Sequence, residues 1–117
     1  MPIINFHQEF LDAIASGEKR QTIRKGRAKP IKPGDNLILY TGFRTSKARR
    51  IGEHTCLGID TIKIKWENGS ICLNGTWMHK SHIDWIAAKE GFLHTAAFFG
   101  FFKRHYGDDF EGVVIRW

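Results

Sequence analysis

The stretch CLGIDTIKIKWENGSICL, residues 56 to 73, constrains the fold more than any other part of the chain. Apolar and polar residues alternate through Ile62, Ile64 and Trp66, the period of a strand with one buried face. Leu57 and Ile59 fall on odd numbers, so the alternation changes phase near Asp60 or Thr61. One extra residue there, a β-bulge, would let both halves face a single core. ENGS then supplies an Asn-Gly turn, and residues 62 to 66 and 71 to 73 are expected to pair as a hairpin.

The other elements follow from local patterns. IINF predicts a short first strand. HQEFLDAIASG places Phe10, Leu11 and Ile14 at helical spacing, with Gly17 as the stop. QTIR contains β-branched strand formers, and KPIKPGDNLILYTG shows a Pro-Gly-Asp turn leading into the apolar run Leu37 to Tyr40. SHIDWIAAKEG and LHTAAFFGFFKRHYG predict two helices, with Phe98, Phe101 and Phe102 at core spacing in the second. FEGVVIRW closes as a strand with Val113, Ile115 and Trp117 on one face. The expected class is α+β: a small, mixed, mostly antiparallel sheet that curls into a barrel, with helices packed against its rim.

A chain of 117 residues is expected to form one domain, 1–117, around one modest core. Hydrophobic content of 42% and charged content of 26% are ordinary for a globular protein, which argues against disorder. TAAFFGFF is too short for a membrane span and MPIINFHQEF lacks a secretory pattern, so a cytoplasmic protein with no membrane association is expected. Cys56 and Cys72 lie outside any C-x-x-C spacing and are expected as buried, reduced thiols. His79 and His82 share a helical spacing, but no further ligands complete a metal set, and no metal or cofactor is expected.

Charge is uneven. Residues 19 to 50 hold eleven of the eighteen Lys and Arg side chains and one acid, Asp35. Such a face attracts an anionic ligand or a nucleic-acid backbone, unless it is simply a solvated rim. Within it, GEKRQTIRKG gathers Lys19, Arg20, Arg24 and Lys25 around Thr22. A threonine hydroxyl is a poor nucleophile until a base takes its proton, and a lysine serves only when its ammonium form is destabilised, by neighbouring cations or by burial. Arg24, two residues from Thr22, projects from the same face of a regular strand and is placed to steady an oxyanion or hold a polar substrate group. Lys19 and Thr22 are three apart, so their convergence requires Lys19 to sit in the turn after Gly17. The plainer alternative makes Thr22 and Ile23 ordinary strand residues and Lys19 a solvated helix-end cation.

GEKRQTIR, then KPGDNLILY, and later KEGF before a terminal strand resemble, over nearly the whole chain, an ASCH domain of the PUA-like superfamily. Within that family the chain is most similar to small bacterial N4-acetylcytidine amidohydrolases. The resemblance implies a PUA-like barrel and hydrolysis of acylated cytidine or cytosine without a cofactor. It implies Thr22 as nucleophile, Lys19 as its activator and Glu90 as proton shuttle, with Arg24 and Arg20 on the substrate. A flat pyrimidine favours an aromatic wall, and Phe43, Trp77 and Phe92 are the candidates nearest the motifs. Other ASCH domains are thought to bind or cleave RNA. In that alternative Lys19, Arg20, Arg24, Lys25, Arg27, Arg49 and Arg50 hold phosphates. TGFRTSKARRIGEH, with the cations of residues 43–50, is expected to be a mobile basic loop that lines the entrance or touches phosphate.

Overall fold

The computed structural model describes residues 2–27, 29–65, 69–107 and 109–117. Strand β1 (Ile3–Phe6) leads through a 3-10 turn at Gln8–Phe10 into helix α1 (Leu11–Ser16). Gly17 ends α1 in the left-handed conformation, φ +85°, and the Lys19 N–H folds back onto the Ala13 carbonyl at 2.9 Å. Lys19 is thereby held in the turn, and β2 (Gln21–Arg24) begins only after it. The Pro-Gly-Asp turn closes with the Asp35 N–H on the Lys32 carbonyl at 3.0 Å and delivers the chain into β3 (Asn36–Thr41).

Residues expected to form a mobile loop divide into two parts. A connection at residues 42–48 is stitched by its own hydrogen bonds, among them Thr45 Oγ1 to the Gly42 carbonyl and the Ala48 N–H to the Thr45 carbonyl at 3.2 Å. Arg49–Thr55 is a strand, β4, antiparallel to β3 with a register shift between Leu39 and Tyr40. β4 lies at a sheet edge with much of its surface in water, so it lacks the apolar alternation by which strands are recognised. The chain then turns through Cys56 and Leu57 into β5 (Gly58–Lys65), followed by β6 (Ser70–Leu73) and β7 (Thr76–Trp77). Asn74 and Gly75, both at positive φ, make a two-residue turn between β6 and β7 that the sequence reading passed over. The expected strand end at Trp66 and the turn at Asn68 lie outside the described residues. Helices α2 (Lys80–Lys89) and α3 (Thr95–Tyr106) precede the last strand, β8 (Asp109–Arg116).

The ladders form two sheets, mostly antiparallel: β1-β3-β4, in which β1 and β3 are parallel, and β2-β8-β5-β6-β7. Among the described residues no ladder joins them into the expected closed barrel. The expected bulge in β5 is also absent, since Gly58 to Lys65 pair one for one with Arg116 to Asp109 of β8. The phase change has another cause: this part of the sheet is covered on both faces. Ile62 and Ile64 join Phe110 and Val114 in a core with Ile83 and Ile86 of α2 and Phe98 and Phe102 of α3. Ile59 packs on the other face with Ile115 and Trp117, against Ile4, Phe6, Ile14, Leu37 and Leu39. Leu57 lies outside the strand and is 69% exposed. Two cores thus share one sheet, and Phe92, just after α2, packs against both. Cys56 and Cys72 are buried free thiols. Among the described residues no helix is long and apolar enough to cross a membrane.

Candidate active site

Both helices that precede the site's key side chains end in a glycine turn. Lys19 follows Gly17, and Glu90 caps the C-terminus of α2 immediately before Gly91, φ +92°. Gly91 is also a close approach: a Cβ there would lie 3.2 Å from the Phe10 ring and 3.8 Å from Lys19 Cδ. The KEGF motif therefore brings the end of α2 against the turn after α1. Lys19 Nζ donates to the Glu90 carbonyl at 2.7 Å, satisfying an orphan acceptor of the helix end, and reaches Glu90 Oε1 at 3.4 Å.

Glu90 in turn completes the edge of a sheet. β2 is an outer strand whose free side needs acceptors, and the Ile23 N–H donates to Glu90 Oε1 at 3.0 Å. Glu90 Oε2 is buried and has no hydrogen-bond partner among the described residues. Gln21 approaches the carboxylate closely enough to help hold it ionised, without meeting Oε2 at hydrogen-bonding geometry. Thr22 and Arg24 share one face of β2, and Arg24 Nε donates to Thr22 Oγ1 at 3.1 Å. The Arg24 guanidinium lies 4.7 Å from the centre of the Phe6 ring, and Lys19 Nζ lies 5.0 Å from that of Phe10.

These groups are deeply buried, with Lys19 and Glu90 each 3% exposed and Thr22 4%. Burial pushes the Glu90 carboxyl up and the Lys19 ammonium down, in each case against the attraction of the other partner. Both members are moved toward neutrality, the condition under which a proton can pass between them. Burial also lowers Arg24.

Lys19, Thr22, Arg24 and Glu90 border one cavity of about 400 Å³, within the range of small-molecule sites. It opens at the seam between the two cores. Phe6 and Phe10 wall it from one side, Ile23 and Phe102 from the other, and Phe92 from both. Of the aromatic candidates, Phe92 is the one at the cavity. Phe43 leans on Tyr40 in a neighbouring depression, and Trp77 stands 52% exposed in a groove beside Lys63 and Glu111. Arg20 is turned away as well: its Nε donates to the Trp117 carbonyl at 3.2 Å in a surface groove with Trp85 and Lys89.

Asn5, His7, Phe101, His105 and Tyr106 also line the cavity and were not anticipated as site residues. Phe101 was expected purely as packing; it is half-buried, and His105, one helical turn on, meets it edge to face at 4.3 Å. His7 stacks on His105 at 5.5 Å across the mouth. The i, i+4 spacing of Phe101 and His105 was legible, but its direction was not. His79 caps α2, its Nδ1 accepting the Ser81 N–H at 3.3 Å, and His82 lies edge-on to Trp85. Among the described residues no three metal-ligating side chains gather.

Comparison with protein-family models, curated proteins and solved structures finds no match to this chain.

Proposed function

We propose that the protein is an amidohydrolase that cleaves the N4-acyl amide of acylated cytidine or cytosine compounds, a cytoplasmic ASCH-type enzyme of the PUA-like class. One observation carries this reading. Lys19 and Thr22, from the turn and strand after α1, meet Glu90, from the end of α2, around a single cavity in which all three are buried, and one Glu90 carboxylate oxygen has no hydrogen-bond partner among the described residues. A buried acceptor with no donor destabilises a fold by about 1–3 kcal/mol, which is tolerable where a ligand supplies the donor. The exocyclic nitrogen of cytosine is such a donor.

Thr22 Oγ1 attacks the acyl carbonyl, and its proton passes to Lys19 in its neutral form. Arg24, which donates to Thr22 Oγ1 in the free site, stabilises the oxyanion that develops on the acyl carbonyl oxygen. The Lys19–Glu90 pair delivers the proton to the departing N4 amine as the C–N bond breaks, leaving an acyl ester on Thr22. Water then attacks the ester with its proton taken by the same pair, releasing the carboxylic acid and restoring the hydroxyl. Phe92 and Phe101 supply flat apolar walls for the pyrimidine.

The test is loss of N4-acetylcytidine absorbance. Wild-type protein is expected to hydrolyse it, and Thr22→Ala to lower kcat by about 10³-fold or more with an unchanged circular dichroism spectrum. Wild-type protein inert toward both N4-acetylcytidine and N4-acetylcytosine overturns the reading. A second reading, an RNA-binding domain, is favoured by the exposed cations Arg44, Lys47 and Arg49. It predicts RNA affinity that falls steeply with salt and survives in Thr22→Ala.

A further inference from the structure

Asn5 borders both the cavity and a second, more open depression formed by Pro2, Ile3, Arg27, Phe43 and Arg44. Two arginines there are held rather than loose. Arg27 Nη2 donates to the Ile3 carbonyl at 2.6 Å, fixing the guanidinium along β1. Arg44 follows Phe43, whose N–H donates to Asn5 Oδ1 at 2.9 Å and ties the 42–48 connection to the cavity edge. Arg44 itself sits at φ +67°, a left-handed conformation that disfavours a residue with a Cβ by about 1–2 kcal/mol. Its guanidinium lies 5.7 Å from the centre of the Phe43 ring.

Both arginines are exposed, and the Arg27 contact to Ile3 occupies one of five guanidinium N–H groups. The acids nearby are otherwise engaged. Asp35, in the adjoining depression with Arg27 and Lys29, accepts the Lys32 N–H, and Glu53 pairs with Arg50. A bare nucleoside offers two forked cations only neutral hydroxyl and carbonyl acceptors. A phosphate offers negative charge and pairs of oxygens that accept the parallel N–H groups of a guanidinium fork.

The geometry points to a phosphate subsite: Arg27 and Arg44 hold a phosphate of the substrate on the shelf beside Asn5 while the acylated base occupies the cavity. The inference rests on the amidohydrolase reading for the identity of the base. The phosphate is that of a nucleoside monophosphate or one along an RNA strand, and the chemistry of the shelf is common to both.

Titration calorimetry with CMP and with cytidine tests the shelf without requiring turnover. At low salt CMP is expected to bind wild-type protein about tenfold more tightly than cytidine. Arg27→Gln and Arg44→Gly each erase that difference while leaving cytidine affinity unchanged, glycine being chosen because it relaxes the positive φ. Equal affinities for CMP and cytidine, or a CMP preference untouched by both variants, overturn the subsite. Hydrolysis then separates the sources. A short RNA bearing one N4-acetylcytidine turned over with higher kcat/KM than N4-acetyl-CMP assigns the phosphate to a polynucleotide, and the reverse order assigns it to a free nucleotide. Protein that hydrolyses N4-acetylcytidine yet binds CMP no better than cytidine loses the subsite alone. Protein inert toward the amide loses the enzymatic reading, and the calorimetric comparison still decides the shelf.

Discussion

Lys19 and Arg24 on one side, and Lys47 and Arg49 on the other, come from stretches of similar cationic density, yet the fold treats them oppositely. The first pair borders the cavity at the seam between two cores, where burial lowers the pKa of each. The second pair stands in water on an edge strand and its connection, beside an exposed Arg50–Glu53 ion pair of the kind that contributes about 0–1 kcal/mol. Density of charge in the sequence is therefore a poor guide to chemistry. What makes a cation reactive is the removal of water, and that depends on which segments pack over it.

The largest effect that would test this contrast comes from Lys19. Lys19→Met leaves the Glu90 carboxyl buried without its cation, and is expected to abolish hydrolysis and to lower stability in urea by about 3–5 kcal/mol. Lys19→Met with Glu90→Gln removes both charges. That double variant is expected to be as inactive as the single one but to regain most or all of the lost stability, because the buried pair must be desolvated before its attraction counts. A double variant no more stable than Lys19→Met would show that the pair supports the fold rather than burdening it.

A pH series gives a second, smaller effect. Glu90 binds its proton more tightly in the fold than in the unfolded chain, so its contribution to stability is fullest below the unfolded carboxyl value and is lost as pH rises through the raised one. Lys19 is lowered, so its contribution is fullest above 10.5 and is lost as pH falls toward its reduced value. Wild-type protein is accordingly least favoured, relative to the charge-free double variant, between those limits. The rate of N4-acetylcytidine hydrolysis is expected to follow a bell with its acid limb above the ordinary glutamate range and its alkaline limb below the ordinary lysine range. Limbs at the unperturbed values would mean that the pair is solvated.

The smallest effect belongs to the exposed side. Lys47→Ala and Arg49→Ala are each expected to change stability by no more than about 0.5 kcal/mol and to leave nucleoside hydrolysis unaltered. A loss of nucleoside hydrolysis comparable to that in Lys19→Met would erase the distinction between the two regions.

Elements with a local signature were legible from the chain alone. The Gly17 stop, the QTIR strand, the Pro-Gly-Asp turn and both later helices occur where glycine torsion, β-branching and helical periodicity put them. The Asn74-Gly75 hairpin carried an equally local signal that went unread, overshadowed by the other Asn-Gly pair at 68 and 69. β4 carried none, since an edge strand of Arg, Gly, Glu and His owes its conformation to the ladder with β3. In β5 the change of phase was visible but its meaning was not. A bulge facing one core and a straight strand facing two produce the same string of letters, and only the second layer distinguishes them.

By itself, then, the sequence determined the Gly17 stop, the Pro-Gly-Asp turn and the periodic elements, and with them the placement of Thr22 and Arg24 on one face of β2, because torsional preference and side-chain alternation act over a few residues. Only the tertiary structure decided that Glu90 reaches across 71 positions to Lys19, that Phe92 rather than Phe43 or Trp77 borders the cavity, and that Arg20 faces away. Those outcomes depend on which distant surfaces exclude water from one another, and burial of that kind is a property of the packed whole, not of any stretch of chain.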